Sequence, residues 1–270
     1  MSKNQIIVSV IVVALIVVGN EILDGIVLDS NTHWITSRLT PLGFFLMERF
    51  TVRDVVPEIA RAVKRALEDG CGLVIICGGL GPTHDDMTVK GVAEAFGLPM
   101  EIDEAAREIV TRQHIELHKR GIIHSSDLTE SRIKMAILPR GSKALDNRVG
   151  TAPGVLLERD EATVILLPGV PAELMWIFDN QVMPRIMTRV DGYFHEETFS
   201  LHLRDESILA PIIDKAMLAV PGVWIKSLVK PYGETGIRLW ISARGDSKQE
   251  VKARVERASE TLKNLAERLI

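Results

Sequence analysis

The chain has 270 residues, 46% of them hydrophobic and 25% charged, with a formal net charge of −4. That balance describes a globular protein long enough to build an ordinary core without a metal or disulfide. It lacks the basic footprint of a nucleic-acid partner. Its two cysteines, Cys71 and Cys77, form neither a C-x-x-C pair nor a zinc framework, which fits reduced thiols in the cytoplasm.

Ile6 to Val18 is almost purely apolar, broken only by Ser9. At about 13 residues it is short for a membrane helix, which needs about 20. The following Val17-Val18-Gly19-Asn20-Glu21 offers no signal-cleavage site. Its Val and Ile residues favour a buried strand, with an extra strand or arm ahead of it. Asn31 to Leu39 then reads as a helix capped by Asn31 or Asp29 and ended by Pro41. Phe44 to Val52 is a strand. Pro57 to Leu67 is an amphipathic helix, with Gly70 at its end. Leu73 to Cys77 is a short apolar run opening into Gly78-Gly79, the pattern of a central parallel strand. Helices follow at Thr88 to Phe96 and Glu104 to Lys119. A further strand covers Thr163 to Leu167, and a helix runs from Pro171 to Phe178.

Strands alternating with helices predict a mostly parallel sheet, with its ligand beyond the carboxyl ends of the strands. The pattern changes near residue 190. A strand at Thr198 to Leu203, a helix at Ser207 to Met217, strands at Val223 to Val229 and Ile237 to Ala243, and a helix at Ser247 to Leu269 spell β-α-β-β-α. The expected organisation is therefore an α/β domain over residues 1–185 and a small α+β domain over 190–270.

Three post-strand loops are the places for chemistry. In the first, Gly78-Gly79-Leu80-Gly81-Pro82-Thr83-His84-Asp85-Asp86-Met87-Thr88, glycines bring backbone amides close to a ligand. A loop leading into a helix start also presents unpaired N–H donors, a combination that binds phosphate. It is neither a P-loop nor a dinucleotide fingerprint. Thr83 and Thr88 either cap the helix or donate to a phosphate. Asp85 and Asp86 would repel that phosphate without a cation between them, which favours a hard divalent ion such as magnesium. The simpler alternative is that one Asp caps the helix starting near Met87. In the second loop, Asn20, Glu21, Asp24, Asp29 and Asn31 offer hydrogen-bonding groups. Glu21 or Asp24 is a candidate general base. In the third, Pro168 and Gly169 form a rigid turn that either packs or contacts ligand. Gly150 to Gly154 adds a Gly/Pro loop on the same rim.

GGLGPTHDDMT, the preceding VGNEILDG, and the later VGTAPG and LPGVPAE occur in this order in the amino-terminal domain of the competence-damage (CinA) family, which the chain resembles. That domain is similar to the molybdopterin-binding domain of molybdenum-cofactor biosynthesis proteins. Arg204 to Ser207, Ile225 to Ser227 and Ile237 to Leu239 resemble the small domain that follows in this family. The resemblance implies a three-layer α/β/α sandwich in a homo-oligomer. The absence of a spanning segment predicts no membrane partner; the resemblance implies a nucleotide or pterin phosphate as ligand. It also implies metal-dependent hydrolysis of a nucleotide pyrophosphate such as ADP-ribose, with magnesium, manganese or cobalt. Asp86 falls where the cofactor-biosynthesis proteins carry a functional aspartate, and Asp85 matches the double-Asp version of the CinA branch. Leu80 and Asp85 depart from the cofactor-biosynthesis loop. The nicotinamide-mononucleotide deamidase domain of longer CinA proteins is not expected here. Taken with the loop readings, the expected site has Asp85, Asp86 and Glu21 as catalytic groups, with Asp85 and Asp86 holding metal. Gly78, Gly79, Leu80, Gly81, Thr83, Thr88, Asn20, Asp29, Asn31, Pro168 and Gly169 bind ligand. Two other readings stay open: a pterin- or nucleotide-binding module without turnover, and a molybdopterin adenylyltransferase.

Overall fold

The computed structural model describes residues 11–159, 162–189, 192–201, 206–228 and 236–267. It divides into a unit of Ile11–Thr40 and Phe44–Arg189 and a second built on Val190–Ile270. The first begins with β1 (Val12–Val18), α1 (Asn20–Leu23), α2 (Asn31–Leu39), β2 (Phe45–Val52), α3 (Val56–Glu68), β3 (Leu73–Cys77) and α4 (Thr88–Phe96). It continues with β4 (Met100–Ile102), α5 (Glu104–Lys119), α6 (Glu130–Lys134), β5 (Ile137–Pro139), β6 (Lys143–Leu145), β7 (Gly154–Arg159), β8 (Ala162–Leu167), α7 (Pro171–Ile177) and α8 (Met183–Ile186).

Six strands form one sheet in the order β2-β1-β3-β8-β7-β6. The pairs β1/β2, β1/β3 and β3/β8 are parallel, while β7 and β6 run antiparallel at one edge. β1 and β3 are inner strands buried on both faces, which is why they read as unbroken apolar runs. One face presents Ala14, Ile16, Val74, Ile76, Val164 and Leu166 to Ile59 and Val63 of α3, Val92 of α4 and Val110 of α5. Alternate residues, among them Val13, Leu15, Ile75 and Ile165, are buried on the other face. α2 and the segment after α7 meet through an edge-to-face contact of Trp34 with Phe178. This is a three-layer sandwich with a mostly parallel sheet.

Cys71 and Cys77 are free and buried. Burial pushes the Cys71 thiol up to about 11 and raises that of Cys77 further. Among the described residues no helix is long and apolar enough to cross a membrane.

The second unit contains β9 (Tyr193–Leu201), α9 (Glu206–Ala219), β10 (Val223–Leu228), β11 (Ile237–Gly245) and α10 (Lys248–Glu267). Its antiparallel sheet, ordered β10-β11-β9, buries Ile225, Leu239 and Ile241 with Leu209 of α9 and Val251, Val255 and Leu262 of α10.

Most elements lie within a residue or two of their expected ends. The first strand starts at Val12, and Ile6 to Val10 lie outside the described residues. So do His202, Leu203, Val229, Pro231, Gly233, Leu269 and the Arg204-Asp205 part of the distal motif. β9 begins five residues before the expected Thr198. The sequence reading leaves β4 to β7 and α6 unassigned. Strands of three residues are too short to show a period, and Gly154, read as loop, opens β7.

α3 and α4 approach closely because Gly91 lies where they touch. A Cβ there would stand 2.5 Å from Cβ and Cγ2 of Ile59. Ile59 is completely buried and its Cβ is fixed to the backbone, so it has no room to yield. Gly91→Ala is expected to destabilise the first unit by about 1–3 kcal/mol, overriding the roughly 1 kcal/mol by which Ala favours a helix. Urea denaturation checks the sign, and a stabilised variant would show that the contact relaxes freely.

Candidate functional site

The carboxyl ends of β1, β3 and β8 lie side by side in the sheet, so the loops leaving them share one rim. Gly78 holds them together. Its amide donates to Leu167 O at 2.9 Å, and a Cβ on it would stand 2.1 Å from Val18 O. Its φ of 101° lies in the region that glycine favours. Gly79 has φ 65°, and a Cβ there would meet Thr88 Oγ1 at 2.2 Å and Asp54 Oδ2 at 2.7 Å.

Thr88 is completely buried, and its hydroxyl donates to Gly78 O at 2.8 Å while its amide donates to Gly79 O at 3.1 Å. It therefore fastens the loop to α4 and does not face a ligand. Leu80 turns its side chain into the core, leaving its amide as its contribution to the rim. Among the described residues the amides of Gly79, Leu80 and Gly81 have no protein acceptor. Three consecutive unpaired N–H groups ahead of a helix start suit an anion.

The two aspartates converge on Thr83. Its hydroxyl stands 2.5 Å from both Asp85 Oδ1 and Asp86 Oδ2, and its amide donates to Asp86 Oδ2 at 2.8 Å. One hydroxyl proton serves one acceptor at a time, so one carboxylate oxygen faces a lone pair. The Thr83 hydrogen bond lowers the pKa of Asp85. Neither acid caps α4.

Asp54 does that work from the loop after β2, a residue the sequence reading missed. Its Oδ1 accepts the Met87 amide at 2.8 Å, and its own amide donates to Asn20 Oδ1 at 3.3 Å. Burial, then the charges of Asp86 and Asp85, pushes its carboxyl up to about 6 against the pull of the Met87 amide and Lys134. Asp54, Asp85 and Asp86 thus form one electrostatic group.

Lys134, at the end of α6, was also missed. Its ammonium donates to Thr83 O. Together with Gly79, Leu80, Gly81, Asp86, Lys90 and Met135 it lines a cavity of about 80 Å³. A larger open groove of about 790 Å³ runs along α5, but its Arg107 and Arg112 are paired with Glu104 and Asp146, and no glycine amides face it. The small cavity is the one next to the chemistry.

The remaining residues of the rim are mostly committed elsewhere. Asp29 caps α2 through Thr32, accepting its amide at 3.0 Å and its hydroxyl. Asn31 donates from Nδ2 to Gly169 O at 2.8 Å, joining the first loop to the third. Pro168 is buried and Gly169 exposed. Asp24 is paired with Arg53 at 2.6 Å. Glu21 is exposed and folds back over Gly19. In the Gly150 loop, buried Asn147 accepts the amides of Val149 and Gly150 and donates to Ala152 O and Glu173 Oε2, while burial raises the pKa of Glu173.

Among the described residues no three His, Cys, Asp or Glu side chains are grouped to hold a metal ion. Asp85 and Asp86 are oxygen donors of the kind magnesium takes, and that ion commonly binds one or two carboxylates while keeping water and phosphate ligands. The pair fits such an ion with the ligand completing its shell.

The model of the family described as the probable molybdopterin binding domain matches residues 14–188, which include every loop of this rim. A protein of Pyrococcus horikoshii is 42% identical over 200 residues, covering 74% of this chain and 77% of its own. One from Aeropyrum pernix is 38% identical over 258 residues, covering 94% and 93%. Among solved structures, the CinA protein of Thermoplasma acidophilum, titled as having unknown function, is 37% identical with a TM-score of 0.58, covering 65% of this chain and 98% of its own. With most of its length matched and the rim loops inside that match, the chain belongs to the molybdopterin-binding domain family, in its CinA-like form.

Proposed function

We propose that the first unit is a divalent-metal-dependent nucleotide pyrophosphatase acting on ADP-ribose or a similar dinucleotide. The observation that carries this reading is the row of unpaired amides at Gly79, Leu80 and Gly81 beside the Asp85–Asp86 pair. The amides hold one phosphate and place its phosphorus within reach of the acids. Asp85 and Asp86 hold the metal, which supplies polarisation of the phosphoryl oxygens and neutralises developing charge. Asp54 is the general base, because its carboxyl titrates near 6 and lies against Gly79. It takes a proton from the attacking water as the new P–O bond forms. The bond to the bridging oxygen breaks, giving AMP and ribose 5-phosphate. Asp54 replaces Glu21 and Asp24 in this role, since Asp24 is neutralised by Arg53 and Glu21 lies over Gly19.

A second reading is favoured by the family match: molybdopterin occupies the same cradle through its phosphate, without turnover.

The two readings separate when pure protein is incubated with ADP-ribose and magnesium, manganese or cobalt and AMP is followed. AMP release is expected, with kcat/KM rising with pH as Asp54 loses its proton. Asp86→Ala and Asp54→Asn should each lower kcat about 100-fold or more. Release of no AMP with any of the three metals overturns the hydrolase reading.

Asp54 also gives a check independent of activity. Its folded carboxyl titrates near 6, above the ordinary 3.8, so the folded state holds the proton more tightly than the unfolded state. The resulting stability is full below about 4 and is lost as pH rises through 6. Asp54→Asn keeps an acceptor for Met87 and removes the buried charge. It should therefore be more stable than the parent at pH 7.5, by on the order of 2 kcal/mol, with the gain gone near pH 4. A constant difference between the two in denaturant titrations across that range would refute the burial of this charge.

A further inference from the structure

The row of amides accounts for one phosphate group, yet the cavity beside it is also lined by two cations, the exposed Lys90 and the half-buried Lys134, that the reading above leaves without a role. Lys134 ends α6, a short helix that is well anchored. Thr129 caps it, and Arg132 donates to Ser125 O at 2.9 Å and Asp127 O at 2.7 Å. The residues after it, Met135 and Ala136, are buried. α6 is thus anchored on both sides of Lys134, which lines the cavity together with Gly79, Leu80 and Gly81. One of its three N–H groups is spent on Thr83 O, so two remain. Asp86 and Lys90 line the same cavity, and the charges of Asp54 and Asp85 act on Lys134.

We propose that Lys134 makes this a diphosphate site. The amides of Gly79 to Gly81 hold one phosphate, and the Lys134 ammonium holds the phosphate linked to it. The lysine thereby selects ligands with two joined phosphates over monophosphates, and it offsets the repulsion that three aspartates impose on the second group. This rests on the phosphate cradle described above but not on hydrolysis.

The test is isothermal titration of the full chain with ADP and with AMP at fixed magnesium, for the parent, Lys134→Arg, Lys134→Gln and Lys134→Met. The parent should bind ADP about tenfold or more tighter than AMP, the effect of one charge-assisted contact. Lys134→Met should lose that preference while binding AMP within about threefold of the parent. Lys134→Arg should retain it. Thermal melts establish that each variant is folded, and Lys134→Gln decides if Lys134→Met is not. Three outcomes overturn the inference. These are a parent that binds AMP as tightly as ADP, a folded neutral variant that keeps the preference, and one that loses both ligands equally, as a mere loop clamp would. Failure of the hydrolase reading looks different, since ADP preference would persist with no AMP formed from ADP-ribose.

Discussion

Everything on the rim depends on how closely the end of β3 approaches the end of β1. The backbone of Gly78 occupies the space that any side chain would need, against the carbonyl of Val18, while its amide is spent on Leu167 of β8. Three inner strands are thereby closed off at one level. The chain then turns outward, and among the described residues its next three amides have no protein acceptor. Thr88 fixes the far end of the turn by bonding back to Gly78 and Gly79. The cradle is therefore a by-product of how a parallel sheet ends, and its geometry is set by backbone packing.

Charge is organised around that backbone in two tiers. Asp85 and Asp86 are exposed or half-exposed and bound to a threonine of the same loop. Asp54 comes from the loop after β2, is more deeply set, and carries the raised pKa. It ties the start of α4 to the end of β2 through one amide, so a structural bond and a titrating group are the same side chain. Lys134 brings the opposing charge from a segment that the sheet does not contain. A site assembled in this way places acids of different ionisation tendency around one cavity, which is the condition for dividing roles among them.

The layers, the sheet type and the glycine loop were legible because they are local. Unbroken apolar runs mark β1 and β3, helical periodicity marks α3, and Gly-Gly marks the turn. Asp54 and Lys134 were not legible because they stand 33 and 51 residues from the groups they touch, Met87 and Thr83. Nothing in Val52-Arg53-Asp54-Val55 or Ile133-Lys134-Met135 marks chemistry alone. A signal for Asp54 did exist: it follows a strand at the carboxyl edge, where the rule for parallel sheets directs attention, and the loop after β2 was passed over. Thr88 and Asp29 were overread for a related reason. A hydroxyl or a carboxylate in a binding loop is as readily used to hold the loop as to hold its ligand, and only partners in space decide between them.

The two sulfhydryl groups have a use that follows from where they sit. Cys77 lies in an inner strand of the sheet and Cys71 just before it, both shut away and both held in the unreactive protonated form. Alkylating reagents therefore reach them only when this layer of the molecule opens. Their rate of modification becomes an internal clock for the opening of the first unit. Any small molecule that settles on the rim slows that clock by mass action alone, without touching either sulfur.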